Sequence, residues 1–194
     1  MPLLRVFTNA GSQTTAGLKH MIRYVVSGKS VWEGVNYACE TGFIRGYAVA
    51  IGSVEQIYSS LYLLFYTRGF PGKRLFYHVL LDFNGMLSVK DTGEISWQIN
   101  KSFLEPQGLP FIQGVHVTKG KQAMGTLKYA PHVHVLISTI PVTSGKKFHM
   151  TKEVIKCYKD AANLVLLKWG LPQIKIYQIG DGNDVISDSR GILG

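Results

Sequence analysis

Two histidines separated by one apolar residue, His132 and His134, stand inside Pro131–Ser138, a run whose branched and apolar residues read as a buried strand. Side chains alternate along a strand, so both imidazoles share one face while Val133, Val135 and Ile137 take the other. A second run of this kind, Phe111–Val117, carries His116. If the two strands are neighbours, a third imidazole faces the pair. Neutral imidazole ligates divalent transition metals, and three on one sheet face make an open site that leaves positions for substrate. His78, on a third strand-like run at Leu75–Phe83, reads as a packed or hydrogen-bonded histidine rather than a fourth ligand. His20 and His149 have no comparable pattern.

These runs need elements to hold them. Leu3–Thr8 reads as a first strand, followed by a turn and a helix over Thr15–Val26 whose stripe is Leu18, Met21, Ile22 and Val25. At about 100° per residue, Tyr24 falls roughly 120° from the centre of that stripe, beside His20 and Arg23, and is expected to point out of the core. A second helix is expected over Val54–Arg68, stopped by Gly69, and a third over Thr151–Trp169, stopped by Gly170 and Pro172. Met86–Gln107 yields only a short helical pattern near Trp97–Leu104, and Gln173–Ile179 reads as a last strand. The expected order is β-α-α-β-β-β-α-β. That makes an α+β fold, a central, mainly antiparallel five-stranded sheet with helices packed on it. Residues 1–180 are expected to form one domain, with 181–194 a C-terminal tail.

The chain has 194 residues, 46% of them hydrophobic, and a formal charge of +9 from 21 Lys and Arg against 12 Asp and Glu. The size allows a well-buried core, and the charge favours an anionic partner, a nucleic acid or a membrane surface. The longest apolar stretch, Ile57–Tyr66, is too short to span a bilayer, and the N-terminal residues carry no secretion pattern, so a cytoplasmic protein without membrane insertion is expected. Cys39 and Cys157 lack metal or disulfide spacing and are expected to be reduced core residues. Lys119, Lys121 and Lys128, like Lys146 and Lys147, lie in expected loops.

Tyr24, followed by His116 and the His132/His134 pair, resembles the relaxase domain of conjugative and mobilisable elements, an HUH endonuclease, most closely the P-type mobilisation family. Three motifs in order carry the resemblance over residues 15–140. The first is Leu18–Val25 with Tyr24, followed by Gly34-Val35-Asn36-Tyr37-Ala38-Cys39-Glu40. The second is Phe76–Phe83, and the third is Gly114-Val115-His116 with His132-Val133-His134. The chain departs from the family pattern in carrying Asp82 where a Ser is usual and Val117-Thr118 where an acidic residue and Thr are usual. It also has a longer, basic interval, Lys119–Ala130, before His132.

The resemblance implies a ferredoxin-like core and a DNA nicking enzyme. Tyr24 would attack a phosphodiester to leave a 5′-phosphotyrosine and a free 3′-hydroxyl. His116, His132 and His134 would hold a divalent ion, Mn²⁺ or Mg²⁺ by family practice, with Zn²⁺, Co²⁺ or Ni²⁺ the alternatives that ligand softness favours. Arg23, Lys29, Asp82, Lys119, Lys121, Lys146 and Lys147 would lie against DNA, and Trp32, Tyr37, Phe43 and Tyr47 are candidates to stack on bases. The implied partners are single-stranded or hairpin DNA at an origin of transfer, together with accessory relaxosome and coupling proteins, in the bacterial cytoplasm. Family members continue beyond this domain. Tyr37, Tyr58 and Tyr129 are rival nucleophiles. A rolling-circle replication initiator or single-strand transposase shares the His-x-His chemistry, and a non-catalytic single-strand binder would share the basic surface.

Overall fold

The computed structural model describes residues 2–7, 13–27, 39–69, 73–118, 130–144 and 146–174, with side chains not described at 39–42, 118 and 130. The elements are β1 Leu3–Phe7, α1 Thr15–Ser27, β2 Cys39–Tyr47, α2 Val54–Arg68, β3 Phe76–Asp82, α3 Val89–Leu104, β4 Phe111–Thr118, β5 Ala130–Ser138 and α4 Lys152–Lys168. The five strands form one sheet in the order β1-β3-β5-β4-β2, every neighbouring pair antiparallel. The α+β class and the antiparallel five-stranded sheet stand as expected.

Each face of the sheet carries a pair of helices. Leu18, Ile22 and Val25 of α1 and Ile57, Leu61 and Phe65 of α2 bury against Phe76, Ile112 and Leu136 on one face. On the other, Ile95 and Ile99 of α3 and Tyr158, Ala162 and Leu166 of α4 bury against Val79, Leu81, Val115, Val133 and Val135. The even-numbered positions of β3, β4 and β5 thus look toward α1 and α2, and the odd-numbered ones toward α3 and α4. Beneath α3 and α4 a buried polar chain ties helices to sheet: the Tyr158 hydroxyl donates to Asn100 Oδ1, Asn100 Nδ2 to Gln113 Oε1 at 2.7 Å, and Gln113 Nε2 to the Gly93 carbonyl at 3.1 Å.

α2 and α4 match their expected spans closely because local signals agree with packing. Ser53 and Gln56 form a reciprocal capping box at α2, Thr151 caps α4, and Gly69 and Gly170 follow the two helices with positive φ.

The expected element order needs correction at two places. The fifth strand is β2, at the sheet edge, where the register shifts between Gly42 and Arg45 and Phe43 takes a φ of 51°; this bulge breaks the alternation that marks a strand in sequence. Of the expected strand Gln173–Ile179, residues 173 and 174 are not in a strand, and the remainder lies outside the described residues. The second place is α3, a full helix where only a short pattern was legible. Gly93 weakens its sequence signal by about 1 kcal/mol of helix propensity. It is required there because an added Cβ would lie 2.9 Å from Phe43 Cβ and 3.2 Å from Val115 Cγ2.

Cys157 is also corrected: it is an exposed, free cysteine on the outer face of α4. No helix among the described residues is long and apolar enough to cross a membrane.

Candidate metal and tyrosine site

In the β4/β5 ladder His116 stands opposite His132 and Gly114 opposite His134. This pairing puts the three imidazoles on the face toward α1, with one ligating nitrogen from each within 4.8 Å of the others. Ring centroids are 4.5 Å apart for His116 and His134, 5.0 Å for His132 and His134, and 5.8 Å for His116 and His132. His116 and His134 are buried and His132 is half-buried, so the cluster opens at one corner.

The hydrogen bonds of His116 fix its tautomer. Its Nε2 lies 3.0 Å from the Val25 carbonyl oxygen, which can only accept, so Nε2 carries the proton. Burial holds the ring's pKa down to about 4, with the Val25 hydrogen bond opposing and the His132 charge adding to the fall. The ring is therefore neutral near pH 7, and Nδ1 holds a free lone pair. That Nδ1 is buried and has no hydrogen-bond partner among the described residues. A buried acceptor without a partner is uncommon and costly, and this one belongs to a ring of the three-imidazole cluster. A divalent ion would satisfy it, so the residues present fit such a group.

His134 is held well below an ordinary histidine pKa by burial first, then by the neighbouring His78, His116 and His132. It too is neutral. Its Nε2 lies 3.1 Å from the Tyr24 hydroxyl and its Nδ1 lies 2.7 Å from His78 Nε2. The C-terminal end of α1, with its outward carbonyls, is directed at the cluster through Val25, and its last turn has no basic side chain. The negative end of the helix dipole favours a cation at this place.

Tyr24 does not point away from the core as its offset from the apolar stripe suggested. It is half-buried over the histidines, edge-on to His134 at 4.8 Å and to His116 at 5.2 Å between centroids. α1 rests on both the sheet and α2, so its buried arc is wider than one stripe. His20 and Arg23, expected on the outward side, are exposed.

The other expected contacts are scattered. Arg23 is exposed, with its charge felt at Glu55 of α2. Asp82 stands opposite His132 in the ladder, half-buried, and its carboxylate accepts the Asn84 backbone N–H at 2.7 Å. Lys146 and Lys147 are not brought to the histidines: they follow β5, and Lys147 lies near Arg74 at the sheet end beyond Ser138. Burial and the Arg74 charge push its ammonium pKa down.

Lys29, Lys119, Lys121 and Lys128 lie outside the described residues, as do Trp32, Tyr37 and Tyr129. Tyr58 is half-buried on α2, packed beside Tyr62 and under the Lys19 ammonium, and Tyr47 packs on Phe111. Phe43 is 42% exposed.

His78 is a packed, hydrogen-bonded histidine, as its sequence context suggested, and its partner is a member of the cluster. It is buried on β3 between Phe7 and His134, its pKa lowered to about 3, chiefly by burial. Its even-numbered position puts it on the metal face, but the β3/β5 pairing that delivers it to His134 is not a local property.

No protein-family model and no curated protein sequence matches this chain. Among solved structures, it is similar to the one describing the molecular basis of vancomycin resistance transfer in Staphylococcus aureus. The TM-score is 0.56 at 12% identity, over 92% of this chain and 100% of that one. At that identity the likeness is one of fold.

Proposed function

We propose that this chain is the nicking domain of a relaxase, a metal-dependent, strand-specific DNA endonuclease and strand transferase that becomes joined to DNA through Tyr24. The observation that carries this reading is the Tyr24 hydroxyl, 3.1 Å from His134 Nε2, at a three-histidine cluster whose His116 Nδ1 has no partner among the described residues. The structural neighbour's link to resistance transfer in Staphylococcus aureus supports it, as does the charge of +9.

The residues divide the work. The Tyr24 phenol oxygen forms a bond to phosphorus as the bond from phosphorus to the 3′ oxygen breaks. The 5′ side stays on the tyrosine, and the 3′ oxygen leaves as a hydroxyl, taking up the proton that the phenol gives up. One phosphodiester replaces another, so the step reverses and the strand can be rejoined. A phenol with a pKa of about 10 is ionised to roughly one part in a thousand at neutral pH, so the developing charge needs stabilisation. A divalent ion held by His116, His132 and His134 would supply Lewis-acid charge to the phosphate oxygens. Mn²⁺ or Mg²⁺ is the proposed ion, with Zn²⁺, Co²⁺ or Ni²⁺ suited to imidazole as well. Val25 and Gly114 hold His116 in its ligating tautomer. The half-buried edge at His132 is where the strand enters.

The substrate under this reading is single-stranded or hairpin DNA at an origin of transfer, served by relaxosome and coupling proteins in a bacterial cytoplasm. Tyr24 precedes the histidines in the chain, which favours a relaxase over a rolling-circle initiator or single-strand transposase. The test is incubation of labelled single-stranded origin DNA with the protein and Mn²⁺. A protein–DNA adduct that survives denaturation, and that Tyr24→Phe abolishes, is expected. Binding without an adduct would favour the non-catalytic single-strand binder.

A further inference from the structure

His78 lies against the three-imidazole cluster without belonging to it. We propose that His78 is a positioning residue for His134: its Nε2 accepts the His134 Nδ1–H and so keeps the His134 Nε2 lone pair available to a divalent cation. This rests on the reading of the cluster as a metal site.

The geometry supports it on three counts. First, His78 Nε2 and His134 Nδ1 are 2.7 Å apart with ring planes within 25°. Second, His78 cannot easily turn away. Phe7 of β1 stacks on it at 4.8 Å, at the position opposite it in the β1/β3 ladder, and the residue is 7% exposed. Third, the Tyr24 hydroxyl sits 3.1 Å from His134 Nε2, a distance that suits a hydrogen bond to a lone pair there in the metal-free protein. The opposite tautomer would put hydrogen on Nε2 and remove that lone pair from any ion.

The arrangement parallels the one at His116, where Nε2 donates to the Val25 carbonyl and Nδ1 has no partner among the described residues. Metal-ligating histidines commonly give their outer N–H to a carboxylate, a carbonyl or water. An imidazole acceptor does the same without placing a negative charge in a buried face. His116 would thus ligate through Nδ1 and His134 through Nε2.

The test uses Co²⁺ alone, titrated into the protein and followed by visible absorption, with thermal unfolding of each metal-free variant as the check on folding. His78→Gln keeps an acceptor near the Nε2 position and is expected to bind close to wild type. His78→Asn, one atom shorter, and His78→Leu, with no acceptor, are expected to bind about 10- to 100-fold more weakly. Equal Co²⁺ affinity for Asn and Gln variants, or for a folded Leu variant and wild type, would overturn the proposal while leaving the metal site standing. Wild type that takes up no Co²⁺ would overturn the metal reading and this proposal with it. Independently of metal, the ¹⁵N shifts of His134 should report the proton on Nδ1; a proton on Nε2 would also overturn it.

Discussion

The carbonyl oxygen of Val25 occupies the space that a side chain at Gly114 would need: an added Cβ would lie 2.2 Å from it. The same oxygen receives the N–H of His116, two residues further along β4, at 3.0 Å. Gly114 therefore sets how closely the end of α1 approaches the sheet, and with it the tautomer of His116 and the reach of Tyr24 to His134. The strand opposite completes the arrangement, since Gly114 pairs with His134 itself.

Gly114→Ala should push the last turn of α1 off the sheet, because the obstructing atom is backbone and cannot rotate aside. Overpacking of this kind costs about 1–3 kcal/mol. The variant is expected to melt several degrees lower and to form less of the Tyr24–DNA adduct. An unchanged Tm would contradict the close approach.

His132 offers a cleaner probe of the metal than its neighbours, since it is half-buried and its removal leaves the smallest void. Mn²⁺ at 100 times its Kd should stabilise the wild-type fold by about 2.7 kcal/mol, seen as a rise in Tm. In His132→Ala that rise should largely disappear while the metal-free Tm moves little. A full shift in the variant would mean that the ion binds elsewhere.

Acid should unfold the metal-free protein through these histidines. Burial lowers His116 to about 4 and His78 to about 3, and lowers His134 as well, whereas the unfolded chain takes up the same protons near 6.5. Between those limits the unfolded state binds more protons, so stability falls as pH falls. Each imidazole contributes a slope of about 1.4 kcal/mol per pH unit inside its own window. Denaturant midpoints should be level in this respect above pH 7 and drop from about 6.5 down through 4. A flat profile over that range would count against neutral, buried rings.

The His-x-His pair was legible in sequence because strand alternation is a local rule, and it placed His132 and His134 on one face whatever the rest of the chain did. The spans of α2 and α4 were legible for the same reason: Ser53, Thr151, Gly69 and Gly170 mark helix ends by chemistry that acts within a few residues. β2 and α3 escaped because their local signals are spoiled by features that serve packing, the bulge at Phe43 and the close approach at Gly93. Tyr24 was singled out by its motif and its offset from the apolar stripe, but its direction was misjudged, since a helix seated on both a sheet and a second helix buries a wider arc than one stripe.

What the sequence determined by itself, then, was which side chains share a strand or a helix face. The tertiary structure alone decided which strands lie side by side, and so which imidazoles meet. His116 reaches His132, and His78 reaches His134, only through the β3-β5-β4 order. Strand pairing joins residues far apart in the chain, and its free energy comes from burying two sheet faces at once rather than from any short run of residues.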